Sequence, residues 1–263
     1  MGRPLKRVLL TNDDGVRAPG LEVLERIANT LAEEVWIVAP ERDQSGTAHS
    51  ITLHEPIRVH QLGARRYAVE GTPSDAVIMA CKQLMHDRLP DLVLSGVNRG
   101  ANVADSVAYS GTLGAATTAL IMGVPAIALS QSFTSGDDVH WETATHYGPE
   151  VIQALLDLPD RDHVCFSINF PPVPADQVTG VRPALQGRGS IRGVDLEERT
   201  DTRGLTYYWF RFRHDYRDLK QPGTDVDVLR QGAVAVSPLR LERDHTAIWD
   251  ALSRRLERIH EGR

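Results

Sequence analysis

Two adjacent carboxylates, Asp13 and Asp14, follow the apolar run Val8-Leu9-Leu10 and precede Gly15, where the first strand of an α/β protein would end. In open parallel sheets ligands bind outside the carboxyl ends of the strands, and a pair of hard oxygen ligands there suits Mg²⁺ or Mn²⁺. Asp-Asp-Gly is equally good turn chemistry, so the pair alone decides nothing. Ser45, in the polar loop after a second apolar run, and Asn98, after a later one, add a hydroxyl and an amide oxygen. Each by itself is an ordinary loop hydrogen-bonder. Together, with water in the remaining positions, the four fit a divalent cation that stays open to phosphate. A carboxylate exposed at a strand end adds little to packing, so Asp13→Asn or Asp14→Asn is expected to abolish activity and leave the fold intact.

Ser110-Gly111-Thr112 opens a small-residue helix and forms a second constellation. Amides at a helix N-terminus and two hydroxyls make an anion socket, and Gly111 lets a ligand come close to the backbone. The plain alternative is a Ser or Thr N-cap. A phosphate socket beside a Mg²⁺-type site is what phosphoryl hydrolysis needs: charge on the phosphoryl oxygens and an activated water. Asp13 or Asp14 can orient or deprotonate that water, and covalent attack by one of them is left open. His49, near Ser45, is a candidate acid/base among otherwise scattered histidines. The chain has no Walker A sequence, no G-x-G-x-x-G at its first strand-helix turn, no G-x-S-x-G elbow and no His-Glu-x-x-His.

The elements that must position these residues alternate at βαβ spacing. A strand at 9–11 leads to helical apolar periodicity over 19–34 and a buried strand at 35–39. Short strands are expected around 50–53, 57–60 and 67–70. Thr72 as N-cap, Pro73 and Asp75 start the next helix. Strands follow at 92–95, 125–129 and 164–170, with helices from 110 to about 122 and from about 139 to 156. This predicts a Rossmann-like, doubly wound, mostly parallel α/β core over residues 1–174. Residues 175–263 read as an extension of the same domain. Their texture is polar up to 230 apart from the aromatic run 205–212, and a strand at 233–236 and a helix at about 246–260 follow. With aromatics on both faces, the run 205–212 is either a strand packed on both sides or one buried against a partner subunit.

With 263 residues the chain can bury a real core, and its net charge of −6 with interspersed signs argues against a nucleic-acid polymer as partner. Two cysteines, Cys81 and Cys165, have neither disulfide-framework nor metal-ligand spacing and suit a reducing compartment. No signal peptide, membrane span or lipidation motif is read. A cytoplasmic protein without a membrane partner is expected.

In order, Thr11-Asn12-Asp13-Asp14-Gly15, Ala39-Pro40 with Gln44-Ser45-Gly46, Gly71-Thr72-Pro73-Ser74-Asp75, Ser95-Gly96-Val97-Asn98-Arg99-Gly100 with Asn102, and Ser110-Gly111-Thr112 resemble the SurE family of survival-protein nucleotidases. The resemblance resumes at Asn169-Phe170-Pro171 and from Thr224-Asp225 through Gly232 to Leu239. It implies a divalent-metal-dependent phosphatase of nucleoside monophosphates, a 5′-nucleotidase often active on 3′-nucleotides and in some members on short polyphosphate. It places one Mg²⁺ or Mn²⁺ per subunit on Asp13, Asp14, Ser45 and Asn98, with Asp13, Asp14 and Asn98 catalytic. Phosphate or substrate contacts fall on Asn12, Asn98, Asn102, Ser110, Gly111 and Thr112. It also implies a homodimer or homotetramer exchanging C-terminal segments. The chain departs from the family in having Ala233-Val234-Ala235 after Gly232, where many relatives carry an aromatic, and in its Arg- and Gly-rich stretch 187–204. A receiver-like signalling domain shares the acidic pair and the fold, but needs a phosphoacceptor Asp at a later strand end and about half this length. Within enzymes, a polyphosphatase or general phosphomonoesterase is the alternative. Tyr109 can stack on a base, though a buried loop aromatic is the plainer expectation.

Overall fold

The structure is a computed structural model describing residues 5–134, 138–159, 163–214 and 221–261. The chain runs β1 (Leu5–Thr11), α1 (Pro19–Ala28), β2 (Ala32–Pro40), β3 (Val59–Gly63), β4 (Arg66–Val69), α2 (Pro73–Met79), β5 (Leu92–Arg99), α3 (Gly111–Ile121), β6 (Ala126–Gln131), α4 (Trp141–Leu156), β7 (Val164–Phe170), β8 (Val181–Pro183), β9 (Ile191–Thr200), β10 (Thr206–His214), α5 (Asp225–Arg230), β11 (Val234–Arg240) and α6 (Trp249–Glu261). Nine strands form one sheet in the order β3-β4-β2-β1-β5-β6-β7-β11-β8. It is parallel except where β3 runs against β4 and β11 against β7.

Period-two alternation in β1 sends Val8 and Leu10 to one face and Leu9 to the other. The first face packs on α1 and α4 through Leu24, Ile27 and Ile152; the second packs on α2 and α3 through Val77, Leu113 and Ala116. Both faces are covered, as a parallel sheet requires. Between β1 and β5 the strand order reverses: the chain leaves β1 for β2 on one side and returns as β5 on the other. That reversal opens the crevice in which the carboxyl ends of β1 and β5 present their exits.

The start of α2 is as the residues predict. Thr72 Oγ1 accepts from the Asp75 amide at 3.1 Å, and the Thr72 amide donates to Asp75 Oδ2 at 2.9 Å. The remaining carboxylate capacity of Asp75 goes to the Thr52 amide and hydroxyl, at 2.9 and 2.6 Å. Those bonds hold residues 50–53 as a loop; the strand expected there does not form, and the next strand begins at Val59. The first helix ends at Ala28, well before residue 34, because Ala32 pairs with Leu5 and draws 32–34 into β2.

Three elements of the C-terminal part lie outside the periodicity reading: β8, β9 and α5. Strand β9, with its run of Glu and Arg, is held by pairing with β10 over the whole length of both. The aromatic run is a strand, but not one packed on both sides within this chain. Trp209 is 59% and Phe210 78% exposed. Ala233, Val234 and Ala235 are fully buried, so the small residues fit the start of β11 and its neighbours.

Candidate active site

Asp13 follows β1 and is buried, only 4% exposed, contrary to the expectation of an exposed strand-end carboxylate. Thr112, in the first turn of α3, donates its hydroxyl to Asp13 Oδ1 at 2.7 Å. The neighbouring Gly111 has no side chain because none fits: a Cβ there would lie 2.8 Å from the Asp13 Cβ and 2.9 Å from its Oδ2. Asp13 and the start of α3 are therefore in direct contact. Burial pushes the Asp13 carboxyl up to about 6 against the Thr112 hydrogen bond, and the charge of Asp14 adds to the rise.

Asp14 is half-buried and takes the Arg99 amide on Oδ2 at 3.1 Å. Its carboxyl is raised by burial, eased by that amide and raised again by Asp43. The loop after β2 is tied beneath the pair, since the Gln44 amide donates to the Asp13 carbonyl at 2.7 Å and the Ser45 amide to Asp43 Oδ1 at 2.8 Å. Asn98 swings out at a register shift between β5 and β6, where the backbone of Gly96, at φ +135°, passes Leu129 too closely for any side chain. The Asn98 Nδ2 donates to the Gly100 carbonyl at 2.8 Å, which leaves Oδ1 as the acceptor of that amide.

Asp13, Ser45, Asn98, Asn102 and Ser110 line one cleft of about 230 Å³. Ser110 is the N-cap of α3, accepting from the Leu113 amide at 3.1 Å. Cap and cleft-lining group are one residue, so the two readings of Ser-Gly-Thr coexist. Asn102 is fixed from two sides: its amide donates to Asn169 Oδ1 at 2.8 Å, and its Nδ2 to Ser130 Oγ at 2.9 Å and Thr112 Oγ1 at 3.3 Å. Gly111 and Thr112 act behind the wall, against Asp13. Asn12 is also behind it, fully buried, with Nδ2 on the Gly15 carbonyl at 2.9 Å. His49 lies away from the cleft, lining a separate cavity with Leu239 and Arg243.

The cleft also contains residues that the sequence pattern did not select. Phe212 and His214 close it from β10, Ile191 from β9, and Ser106 and Tyr109 from the turn before α3. Tyr109 is 47% exposed, not buried, and its ring lies 4.9 Å from that of Phe212. The aromatics on both faces of β10 marked it in the sequence as a strand to be covered, and carried no signal that one side of it faces the cleft.

The donor set can be tested against a divalent cation. Among the described residues no group of three His, Cys, Asp or Glu side chains could hold a metal. The cleft itself offers one carboxylate, Asp13, flanked by the neutral oxygens of Ser45, Asn98 and Ser110, while the adjacent Asp14 stands outside the lining. Burial raises both carboxyls, with the charge of Asp14 adding to the rise at Asp13 and that of Asp43 to the rise at Asp14. A hard cation reverses that penalty, and oxygen ligands with space for water suit Mg²⁺ or Mn²⁺ better than a softer ion. The residues fit the group.

Comparison with known proteins shows what the chain as a whole is similar to. A family model described as Survival protein SurE matches residues 8–193. A protein named 5′-nucleotidase SurE 1 from Burkholderia lata is 51% identical over 244 residues, covering 92% of this chain and 94% of its own. The 5′-nucleotidase SurE of Erythrobacter litoralis is 46% identical over 253 residues, 95% of this chain and 100% of its own. Among solved structures, the SurE protein of Aquifex aeolicus superposes with a TM-score of 0.79 at 28% identity, over 93% of this chain and 97% of that one.

Proposed function

The chain belongs to the SurE family, and from that premise we infer that it is a 5′-nucleotidase, releasing inorganic phosphate from nucleoside monophosphates. The observation that carries the reading is the contact between Asp13 and the first turn of α3, which sets a metal-type donor set against an anion socket. Divalent-metal dependence goes with the family; we assign one Mg²⁺ or Mn²⁺ per subunit to Asp13, Asp14, Ser45 and Asn98. Bound there, the ion supplies positive charge to the phosphoryl oxygens and acidity to a water.

The chain's own residues supply the rest. The Ser110 hydroxyl, on the cleft at the positive end of α3, holds a phosphoryl oxygen as charge develops on it, while Gly111 and Thr112 contribute from behind the wall by fixing Asp13 against the helix start. Asn98 and Asn102 orient the ester from the β5 side. Asp13 or Asp14 orients the attacking water. The water oxygen bonds to phosphorus, the bond from phosphorus to the nucleoside oxygen breaks, and that oxygen leaves with a proton as the free hydroxyl. We extend the same reading to 3′-nucleotides, whose phosphate ester presents the same phosphoryl group to the cleft.

We also propose a homodimer or homotetramer built through the C-terminal segments. Exposed Trp209, Phe210 and Leu196 on the hairpin support it, because apolar groups presented so far from the core are those that interfaces bury. Among the described residues no helix is long and apolar enough to cross a membrane. Two free, buried cysteines support a reducing, cytoplasmic setting. The test is phosphate release from AMP, GMP, 3′-AMP and tripolyphosphate with Mg²⁺, with Mn²⁺ and with EDTA. Release that EDTA abolishes and that is fastest on a nucleotide supports the reading; release fastest on tripolyphosphate moves the chain to the polyphosphatase reading, and none on any substrate removes the enzyme reading.

A further inference from the structure

A second, larger and mostly apolar cavity of about 480 Å³ adjoins the phosphate cleft, and the two share Gly100, Ala101 and His214 as their common rim. Its walls come from the exits of the next strands along the same sheet edge: Phe133 beyond β6, Pro172 beyond β7, and Val226 and Leu229 of α5 opposite. The phosphate cleft sits at the exits of β1 and β5, so the cavity centre lies about two strand spacings away, roughly 10 Å. That is the reach from the phosphate of a nucleoside monophosphate to its base.

The two compartments are also coupled through one residue. Arg99 gives its amide to Asp14 and lays its guanidinium 4.4 Å above the Phe133 ring. The ring is thus fixed relative to the acidic pair while remaining half-buried on the cavity wall. A flat, sequence-tolerant partner for such a wall is a nucleobase, whose π-face stacks on an aromatic and whose edges are covered by aliphatic side chains.

We propose that this cavity is the nucleobase subsite, with Phe133 as its stacking platform and Val226 and Leu229 as its opposite wall. The proposal rests on the nucleotidase reading and extends it, because it says where binding energy beyond the phosphate comes from. It predicts that the protein prefers nucleotides to sugar phosphates of the same phosphoryl chemistry.

The test compares kcat/KM for AMP with that for ribose 5-phosphate, which keeps the ester and lacks the base, in the wild-type protein, Phe133→Ala and Phe133→Tyr. Wild type is expected to favour AMP. The AMP to ribose 5-phosphate ratio should fall about tenfold in Phe133→Ala, the size of one base-aromatic stack, and return in Phe133→Tyr. Calorimetric binding of adenosine should weaken in Phe133→Ala in parallel, a readout that needs no turnover. An unchanged ratio with unchanged adenosine binding overturns the subsite while the nucleotidase reading stands. A ratio that falls in Tyr109→Ala and not in Phe133→Ala overturns it in favour of the Tyr109–Phe212 pair. A wild-type protein that turns over ribose 5-phosphate but neither hydrolyses AMP nor binds adenosine overturns both readings.

Discussion

The carboxyl edge of the sheet around Asp13 and the hairpin of β9 and β10 use opposite strategies. At the sheet edge, polar groups are drawn in from water and several are tied down: Asp13 by Thr112, Asp14 by Arg99, Asn102 by Asn169 and Ser130. On the hairpin, large apolar groups are presented outward, with Tyr208, Trp209 and Phe210 all more than half exposed. Buried charge and exposed hydrophobics are both unfavourable for an isolated chain. Each makes sense once an absent partner is supplied, a cation and phosphate for the first and a second subunit for the second. The two regions meet where Phe212 and His214 close the cleft.

The sharpest way to break this contrast is at Asp13. Asp13→Asn should lower turnover of AMP by about a thousandfold, the range found when a group stabilising developing charge is lost. The same variant should melt no lower than wild type, because it removes a carboxylate that burial disfavours. A melting temperature several degrees lower would mean that the carboxylate stabilises the fold rather than serving the chemistry.

Next in size, Gly111→Ala drives a methyl into Asp13 and should reduce turnover roughly a hundredfold through misplacement, with near-native circular dichroism. An active Gly111→Ala protein would show that the contact between Asp13 and α3 is incidental. Third is Asp225. Its buried carboxylate accepts the amides of Ala104, Gly187 and Val226 at 2.8 to 2.9 Å, joining the turn before α3 to the root of the hairpin. Asp225→Ala strands those three donors and should lose about 3 kcal/mol in urea denaturation. A loss under half that would imply that water replaces the carboxylate. The smallest effect on turnover is expected for Trp209→Ser with Phe210→Ser. That protein should shift toward the monomer by light scattering and keep phosphate release within about threefold, since neither residue lines the cleft. An unchanged mass would remove the hairpin from the interface.

How much of this was legible in the residues depended on whether a local rule fixed them. The parallel core, the α2 capping box and the placing of Asp13, Ser45, Asn98 and Ser110 on one cleft followed from periodicity, cap chemistry and strand-exit positions, whereas Asn102 entered only through the family resemblance. Strand β9 did not, because IRGVDLEERT carries no alternating apolar face and its stability comes from pairing with β10. The burial of Asp13 was invisible for a related reason: it depends on Gly111, almost a hundred residues later, having no side chain to interpose. His214 and Phe133 joined the site through tertiary placement, and only the structure puts them at the same sheet edge. Asn12, grouped in the sequence reading with the substrate contacts, is set behind the cleft wall on the Gly15 carbonyl.

The most direct measurement of the central claim is phosphate release from AMP, with saturating Mn²⁺ or Mg²⁺, by wild type and Asp13→Asn, alongside calorimetric binding of the same ion to both. The account predicts metal-dependent release by wild type, loss of both release and tight ion binding in Asp13→Asn, and a melting temperature at or above that of wild type. Wild-type turnover in Asp13→Asn, with ion binding retained, would contradict it.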